Sequence, residues 1–309
     1  MPEIVVTEFM DEAAVAELAA AHEVLYDAKL VDDPHRLAAL LFDTRALIVR
    51  NRTQVRPDLL EHAPKLACVG RLGVGLDNID VAACEARRIA VYPATGANDL
   101  SVAEYVVTTA LMLLRGAYFA TAEVVAGTWP RTRLMGREIS GKVMGLIGFG
   151  AIARETAKRA SALGMQIIAS DPHLPADHPA WSTAERVALD DLLARADVVS
   201  LHVPLTAETR GLIGAAALAR MKRDAVLINA ARGGVVDEAA LAAALKTRGV
   251  GGAALDVFDE EPLSAARGAV FAGCPNLILT PHIAGVTQES NVRVSSLIAQ
   301  KLLEHLSRL

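Results

Sequence analysis

The residues of this 309-residue chain that could do chemistry fall in four short segments. They are Gly-Leu-Ile-Gly-Phe-Gly-Ala-Ile-Ala (145–153), Asn-Ala-Ala-Arg-Gly-Gly-Val-Val-Asp (229–237), Asp-Val-Phe-Asp-Glu-Glu-Pro (256–262) and Thr-Pro-His-Ile-Ala-Gly (280–285). The first could cradle a phosphate. The others deliver an arginine, a carboxylate and a histidine, each from beside an apolar run that reads as a strand. A guanidinium can hold a carboxylate and polarise a carbonyl with fixed donors, and an imidazole can exchange a proton near neutral pH. Together these groups point to hydride transfer between a nicotinamide cofactor and a 2-hydroxy or 2-oxo acid.

Context strengthens the first segment. Gly148-x-Gly150-x-x-Ala153 follows the apolar run 143–147 and opens a helical pattern over 151–163. Gly148 permits the tight turn, Gly150 removes the side chain that would block a pyrophosphate, and Ala153 is small enough for helix to pack on strand. The helix N-terminus adds free backbone N–H groups and a positive dipole end. The next apolar run ends at Asp171, 21 residues beyond Gly150. A carboxylate there can accept hydrogen bonds from the adenosine ribose and repel a 2′-phosphate, and residues 172–175 contain no Arg or Lys to hold one. NAD is therefore expected over NADP.

These groups must be positioned by an α/β scaffold. Short apolar runs alternate with helical patterns, which predicts parallel sheets. Strands are expected near 3–7, 46–50, 66–70 and 89–92, with helices near 11–21, 34–42, 57–62 and 78–87. A second series of strands is expected near 142–147, 165–170, 197–202, 225–229, 250–256 and 277–280. Between the two series, Ser101 and Glu104 have capping-box spacing, so a helix should start there and run to about Arg115. Val294, Leu297, Ile298, Leu302 and Leu306 predict a final helix over about 287–308, docked by one apolar stripe on the first domain.

Length and composition agree with two domains, since 309 residues exceed what one core usually supports. A net charge of −5 leaves no basic footprint for nucleic acid, though a few arginines in a cleft can still attract an anion. Three cysteines (Cys68, Cys84, Cys274) without Cys-x-x-Cys spacing predict neither a disulfide framework nor a metal site. No basic n-region opens the chain, and no apolar run approaches the ~20 residues that span a bilayer. A cytoplasmic protein without membrane attachment is expected.

The segments quoted, with Ser101-Val102-Ala103-Glu104, His202-Val203-Pro204-Leu205-Thr206 and residues 49–53 and 70–80, resemble the D-isomer-specific 2-hydroxyacid dehydrogenases, most of all their 3-phosphoglycerate dehydrogenase branch. The likeness runs from about Val49 to the final helix. It implies two Rossmann-like domains: a flavodoxin-like substrate domain (1–97 and 286–309) and a doubly wound dinucleotide-binding domain (98–285), with the active site in the cleft. It implies catalytic roles for Arg232, Glu261 and His282. The carboxylate would favour imidazolium and fix the ring. It also implies NAD contacts from Val74, Gly148, Gly150, Ala151, Ile152, Asp171, Val203, Pro204, Ala230, Asp256, His282 and Gly285, with Asp256 on the nicotinamide carboxamide.

For the substrate, the resemblance points to Arg71-Leu72-Gly73-Val74-Gly75, whose backbone N–H groups would hold a carboxylate. The arginines that hold substrate phosphate in that branch align with Arg50, Arg71 and Arg131, the last reaching in from a partner subunit of a homodimer paired through 99–140. Three guanidiniums exceed what bare glyoxylate or pyruvate needs, so a second anionic group on the third carbon is expected. 3-Phosphoglycerate ranks first, then hydroxypyruvate or glyoxylate, with sulfolactate a further option because sulfonate suits the same arginines. A nicotinamide-sensing corepressor on the same scaffold is the alternative from another class. Asn51, Arg88, Ala153, Ala284 and Pro93-Ala94-Thr95 depart from frequent family residues.

Overall fold

The structure is a computed structural model that describes residues 2–308. The chain divides into two compact units, Met1–Asn98 with Val286–Leu309, and Asp99–Gly285.

The first unit is built on five parallel strands, β1 (Ile4–Val6), β2 (Val24–Tyr26), β3 (Ala46–Val49), β4 (Cys68–Arg71) and β5 (Ala90–Pro93). Their order, β2-β1-β3-β4-β5, is the flavodoxin-like one. Alternate residues feed two cores. Ile4, Val6, Ala46, Ile48 and Cys68 face one side, while Val5, Leu47, Val49 and Val69 face the other. Strand β2 was not expected from sequence. It is a half-buried edge strand of only three residues, too short to register as a periodic pattern.

The final helix, Gln288–Leu306, lies on β4, β5 and the helix Glu12–Ala19 of this unit, and buries Val294, Ile298, Leu302 and Leu306. Thr287 and Ser290 form a capping box at its start. Gly70 makes the docking possible, because a Cβ there would lie 2.5 Å from Ile298 Cγ2 and 2.9 Å from Leu302 Cδ1.

The second unit holds seven parallel strands, β6 (Val143–Ile147), β7 (Gln166–Ser170), β8 (Glu185–Arg186), β9 (Val198–Leu201), β10 (Val226–Asn229), β11 (Gly252–Leu255) and β12 (Leu277–Leu279). Their order is β12-β11-β10-β9-β6-β7-β8. Strands β9 to β11 are buried throughout, which is why they read as unbroken apolar runs. Strand β8 is two exposed residues and left no signal in the sequence. Strand order reverses between β6 and β9, and a crevice for a ligand is expected at the carboxyl ends of the strands there.

The helix Asp99–Arg115 packs against the helix Ala151–Ala162 and strands β10 and β11. It ends where the sequence predicts but begins at Asp99, so Ser101 lies inside its first turn rather than capping it. Ser101, Val102 and Ala103 are all buried, so the first turn is packed into the core.

Candidate active site

The phosphate cradle sits at the end of β6. Gly148 has φ 85°, and a Cβ there would meet the carbonyl oxygen of His202 at 2.6 Å. Only glycine fits that approach. Gly150 is different: nothing lies within 4 Å of a Cβ placed on it, and no side chain caps the helix that starts at Ala151. That open flank, beside uncapped N–H groups, is the space and polarity a pyrophosphate requires. Ala153, facing the strand, is fully buried.

Asp171 directly follows β7. Its Oδ2 accepts the N–H of Phe149 (2.8 Å), while Oδ1 accepts those of His173 (2.9 Å) and Leu174 (3.2 Å). The carboxylate therefore braces the glycine turn from the end of β7. Phe149 is buried and stacks on Trp181 with ring centroids 5.2 Å apart. Val203 and Pro204 follow β9, and Val203 Cγ1 would lie 3.0 Å from a Cβ on Gly148. His202 between them and β9 is a half-buried neutral ring, its pKa pushed down to about 4 by desolvation, with Nε2 3.0 Å from Ser200 Oγ.

The arginine, glutamate and histidine meet at the ends of β10, β11 and β12. Arg232 lies on the turn after β10. Buried Asn229 shapes that turn by donating to the Arg232 carbonyl (2.9 Å) and accepting from the Ala231 N–H (3.1 Å). Ala230 opens the same turn. Gly233 then passes so near the β11 loop that a Cβ on it would sit 1.7 Å from the Phe258 carbonyl oxygen.

Glu261 is fixed through both oxygens. Oε1 accepts the Phe258 N–H at 3.0 Å, and Oε2 lies 2.6 Å from His282 Nδ1. Burial pushes its carboxyl upward, but the bonds from His282 and Phe258 and the charges of His282 and Arg232 hold it below the ordinary carboxylate range. An ionised carboxylate only accepts, so Nδ1 carries a proton and Nε2 is the ring nitrogen left to exchange one.

His282 occupies the left-handed region with φ 53°, which a non-glycine residue adopts only when its surroundings impose it. Asp256 supplies that constraint. Its carbonyl accepts the His282 N–H (2.8 Å), its Oδ1 accepts Ile283 N–H (2.8 Å) and Thr280 Oγ1 (2.6 Å), and its Oδ2 accepts Ala284 N–H (2.8 Å). Thr280 gives its one hydroxyl proton to the carboxylate, so Tyr105, 2.7 Å away, donates to Thr280. Burial raises the Tyr105 phenol to about 12. Half-buried Gly285 closes the turn.

Tyr105 lies in none of the quoted motifs and acts on a turn 175 positions away, so the sequence carries no sign of it; Asn229 opens the quoted 229–237 segment, where its identity alone assigns it no role. A third polar group, Asn98 Oδ1, is buried without a partner among the described residues.

On the first unit, Arg50 follows β3 and Arg71 ends β4, with Val49 and Arg71 paired across the two strands. Gly73, at φ 154°, donates to the Arg71 carbonyl (2.7 Å), and a Cβ on it would lie 1.4 Å from Arg71 Nη1. Glycine thus leaves room for the guanidinium beside the Gly73-Val74-Gly75 backbone. Arg131 belongs to the other unit, exposed in the stretch between Trp129 and Arg133. Among the described residues, no cluster of His, Cys, Asp and Glu is arranged to hold a metal ion.

The family model described as D-isomer specific 2-hydroxyacid dehydrogenase, NAD binding domain, matches residues 107–284. The chain is 59% identical over 296 residues to an (S)-sulfolactate dehydrogenase of Chromohalobacter salexigens, covering 96% of this chain and 95% of that one. It is 39% identical to a D-3-phosphoglycerate dehydrogenase of Methanocaldococcus jannaschii over 98% of this chain but only 57% of that longer protein. A D-lactate dehydrogenase of Aquifex aeolicus, solved with NAD and lactic acid, superposes with a TM-score of 0.87 at 26% identity, covering 99% of this chain and 96% of that one. With a glycine cradle, an acidic strand end and a Glu261-bound His282 in one unit, the chain belongs to the D-isomer specific 2-hydroxyacid dehydrogenase family of NAD-dependent oxidoreductases.

Proposed function

We propose that this protein oxidises (S)-sulfolactate to the corresponding 2-oxo acid with NAD. The observation that carries this reading is the 59% identity to an (S)-sulfolactate dehydrogenase across nearly the full length of both chains. The phosphoglycerate dehydrogenases are more distant and longer, so 3-phosphoglycerate takes second place.

The stereochemical label agrees with a D-specific family. In lactate the carboxylate outranks the methyl group, so the D form is R. In sulfolactate the sulfur-bearing carbon outranks the carboxylate, and the same spatial arrangement is named S. A sulfonate at the third carbon also matches the charge at hand. Arg50 is a half-buried cation, its pKa lowered by burial, and among the described residues no carboxylate lies within ion-pair distance of it. Arg71 would share the anion from the next strand. A sulfonate carries one full charge, whereas a phosphate monoester carries about 1.5 to 2.

In this reading the Gly73-Val74-Gly75 backbone and Arg232 hold the substrate carboxylate, and Arg232 polarises the C2 oxygen. His282 Nε2 takes the hydroxyl proton as the C2 hydride departs, and Glu261 stabilises the resulting imidazolium. A nicotinamide cofactor, bound through Gly148, Gly150, Ala151, Ile152, Asp171, Val203, Pro204 and Ala230, supplies the hydride acceptor. The remaining acceptor position on Asp256 Oδ2 suits its carboxamide. Residues 1–97 with 286–309 then form the substrate domain, and 98–285 the cofactor domain.

We further propose a homodimer paired through residues 99–140. Tyr118, Phe119, Val125, Trp129 and Met135 expose apolar surface in one stretch, with Val125 83% and Trp129 73% exposed, more than an isolated surface favours. Arg131 lies in the same stretch and would reach the substrate of the partner subunit. A cytoplasmic location would supply NAD and keep Cys68, Cys84 and Cys274 reduced. No single helix among the described residues is long and apolar enough to cross a membrane.

The decisive experiment is an NAD-reduction panel over (S)-sulfolactate, (R)-sulfolactate, D-3-phosphoglycerate, D-glycerate, glycolate and D-lactate. (S)-Sulfolactate should give the highest kcat/KM. A higher value for D-3-phosphoglycerate would overturn the assignment in favour of the phosphoester.

A further inference from the structure

Glu8 lies two residues beyond β1 and is only 5% exposed. Its charge favours the Arg50 and Arg52 guanidiniums from a distance, but among the described residues its carboxylate forms no salt bridge, and its hydrogen bonds go to one stretch of backbone. Oε1 accepts the N–H groups of Arg50 (2.9 Å) and Thr53 (3.0 Å), and Oε2 those of Arg52 (3.1 Å) and Asn51 (3.4 Å). Burial pushes the carboxyl up, but the bonds from Thr53, Arg50 and Arg52 outweigh it and hold Glu8 below the ordinary carboxylate range.

The same turn is held from its other side. Asn78 Nδ2 donates to the carbonyls of Thr53 (2.7 Å) and Arg50 (3.3 Å), and the hydroxyls of Thr7 and Thr53 are 2.8 Å apart. The backbone of 50–53 is thus shaped around one buried anion, and Arg50 is the first residue of that turn, directly after β3. Its Nη2 donates to Asn291 Oδ1 (2.8 Å), and its guanidinium lies 5.8 Å from the Phe9 ring centre. Arg52, by contrast, is already paired with Asp32.

We propose that Glu8 is a positioning residue for substrate selection. By templating the 50–53 turn it aims Arg50 at the anionic group on the substrate's third carbon, and so sets the preference for charged over uncharged 2-hydroxy acids. The proposal rests on the reading of Arg50 as a substrate contact. A carboxylate is the side chain suited to this task, because it offers about four acceptor sites and no donor. Glutamine in its place would set two N–H donors against backbone N–H groups, and the turn would have to move.

The test is steady-state kinetics of the full-length protein with (S)-sulfolactate and with D-lactate, for Glu8→Gln, Arg50→Ala and the double variant. NAD affinity and thermal unfolding are measured alongside. Glu8→Gln should raise KM for (S)-sulfolactate on the order of tenfold, with kcat within about twofold and D-lactate kinetics and NAD affinity unchanged. The double variant should be no worse than Arg50→Ala, because both act through one contact.

Equal losses on both substrates, or losses that multiply in the double variant, overturn the proposal. If Arg50→Ala itself leaves the preference intact, the substrate reading of Arg50 fails and this inference fails with it, a result separable from an effect missing in Glu8→Gln alone. Glu8→Asp guards against a Glu8→Gln chain that does not fold. It keeps the charge but shortens the reach by one methylene, and should lose part of the discrimination; full retention would overturn the proposal.

Discussion

Gly233 and Phe258 lie in such close contact that the second has no room for a side chain on the first: a Cβ on Gly233 would be 1.7 Å from the Phe258 carbonyl oxygen. That contact ties the turn carrying Arg232 to the loop carrying Glu261. Phe258 also gives its N–H to Glu261 Oε1, so one residue fixes both approaches. Gly233→Ala should therefore destabilise the fold by about 1–3 kcal/mol or more and lower kcat together with stability. Urea unfolding read beside kinetics checks this, and an alanine variant with normal stability would mean the two loops can separate.

His282 is the proton-exchanging group in the proposed reaction. His282→Ala should lower kcat by roughly 10²- to 10⁴-fold while NAD still binds, as read by fluorescence titration. Turnover near the normal rate would remove the assigned role.

Glu261 should act through charge. In Glu261→Gln the imidazolium formed as the hydroxyl proton is taken loses its adjacent anion, so kcat should fall while NAD still binds. An unchanged kcat would remove Glu261 from the reaction.

The folded chain should also resist acid in a residue-specific way. Glu8 and Glu261 both titrate below their ordinary value of 4.5 in the folded state. The stability each contributes is present above that value and is lost as pH falls through the lower folded one. The unfolding free energy should thus drop below about pH 4.5, less steeply in Glu8→Gln than in wild type. Urea unfolding over about pH 3 to 7 measures the slope; identical slopes would show that Glu8 protonates alike in both states.

The exposed apolar stretch makes a prediction about assembly. Val125→Asp with Trp129→Glu should yield a monomer by light scattering and lose the preference for (S)-sulfolactate over D-lactate, because Arg131 would no longer reach a partner's substrate. A monomeric variant with the preference intact would place Arg131 outside substrate binding.

Cofactor choice provides a separate check. Asp171→Asn should narrow the preference for NAD over NADP by on the order of tenfold, measured as the ratio of kcat/KM values. The Asp171 bond to Phe149 N–H means that NAD affinity should fall as well.

The alternation of strands and helices and the glycine turn followed by Asp171 were legible in the sequence, which also offered Arg232, Glu261 and His282 as candidates. Those features are local: buried parallel strands leave apolar runs, and a glycine turn followed by a helix leaves a fixed spacing. It missed β2 and β8, which are too short to show a period, and it placed the start of the helix at Asp99 two residues late, where the first turn is buried in the core.

How the turns bearing these candidates are held emerges from the folded chain alone. Asp256 grips the backbone after His282, Tyr105 reaches Thr280 across 175 positions, and Glu8 gathers the N–H groups of a turn more than 40 residues away. The reason is physical. Each of these bonds joins a side chain to a partner far off in sequence, so no spacing rule records it, and it forms only when parallel strands bring their ends together.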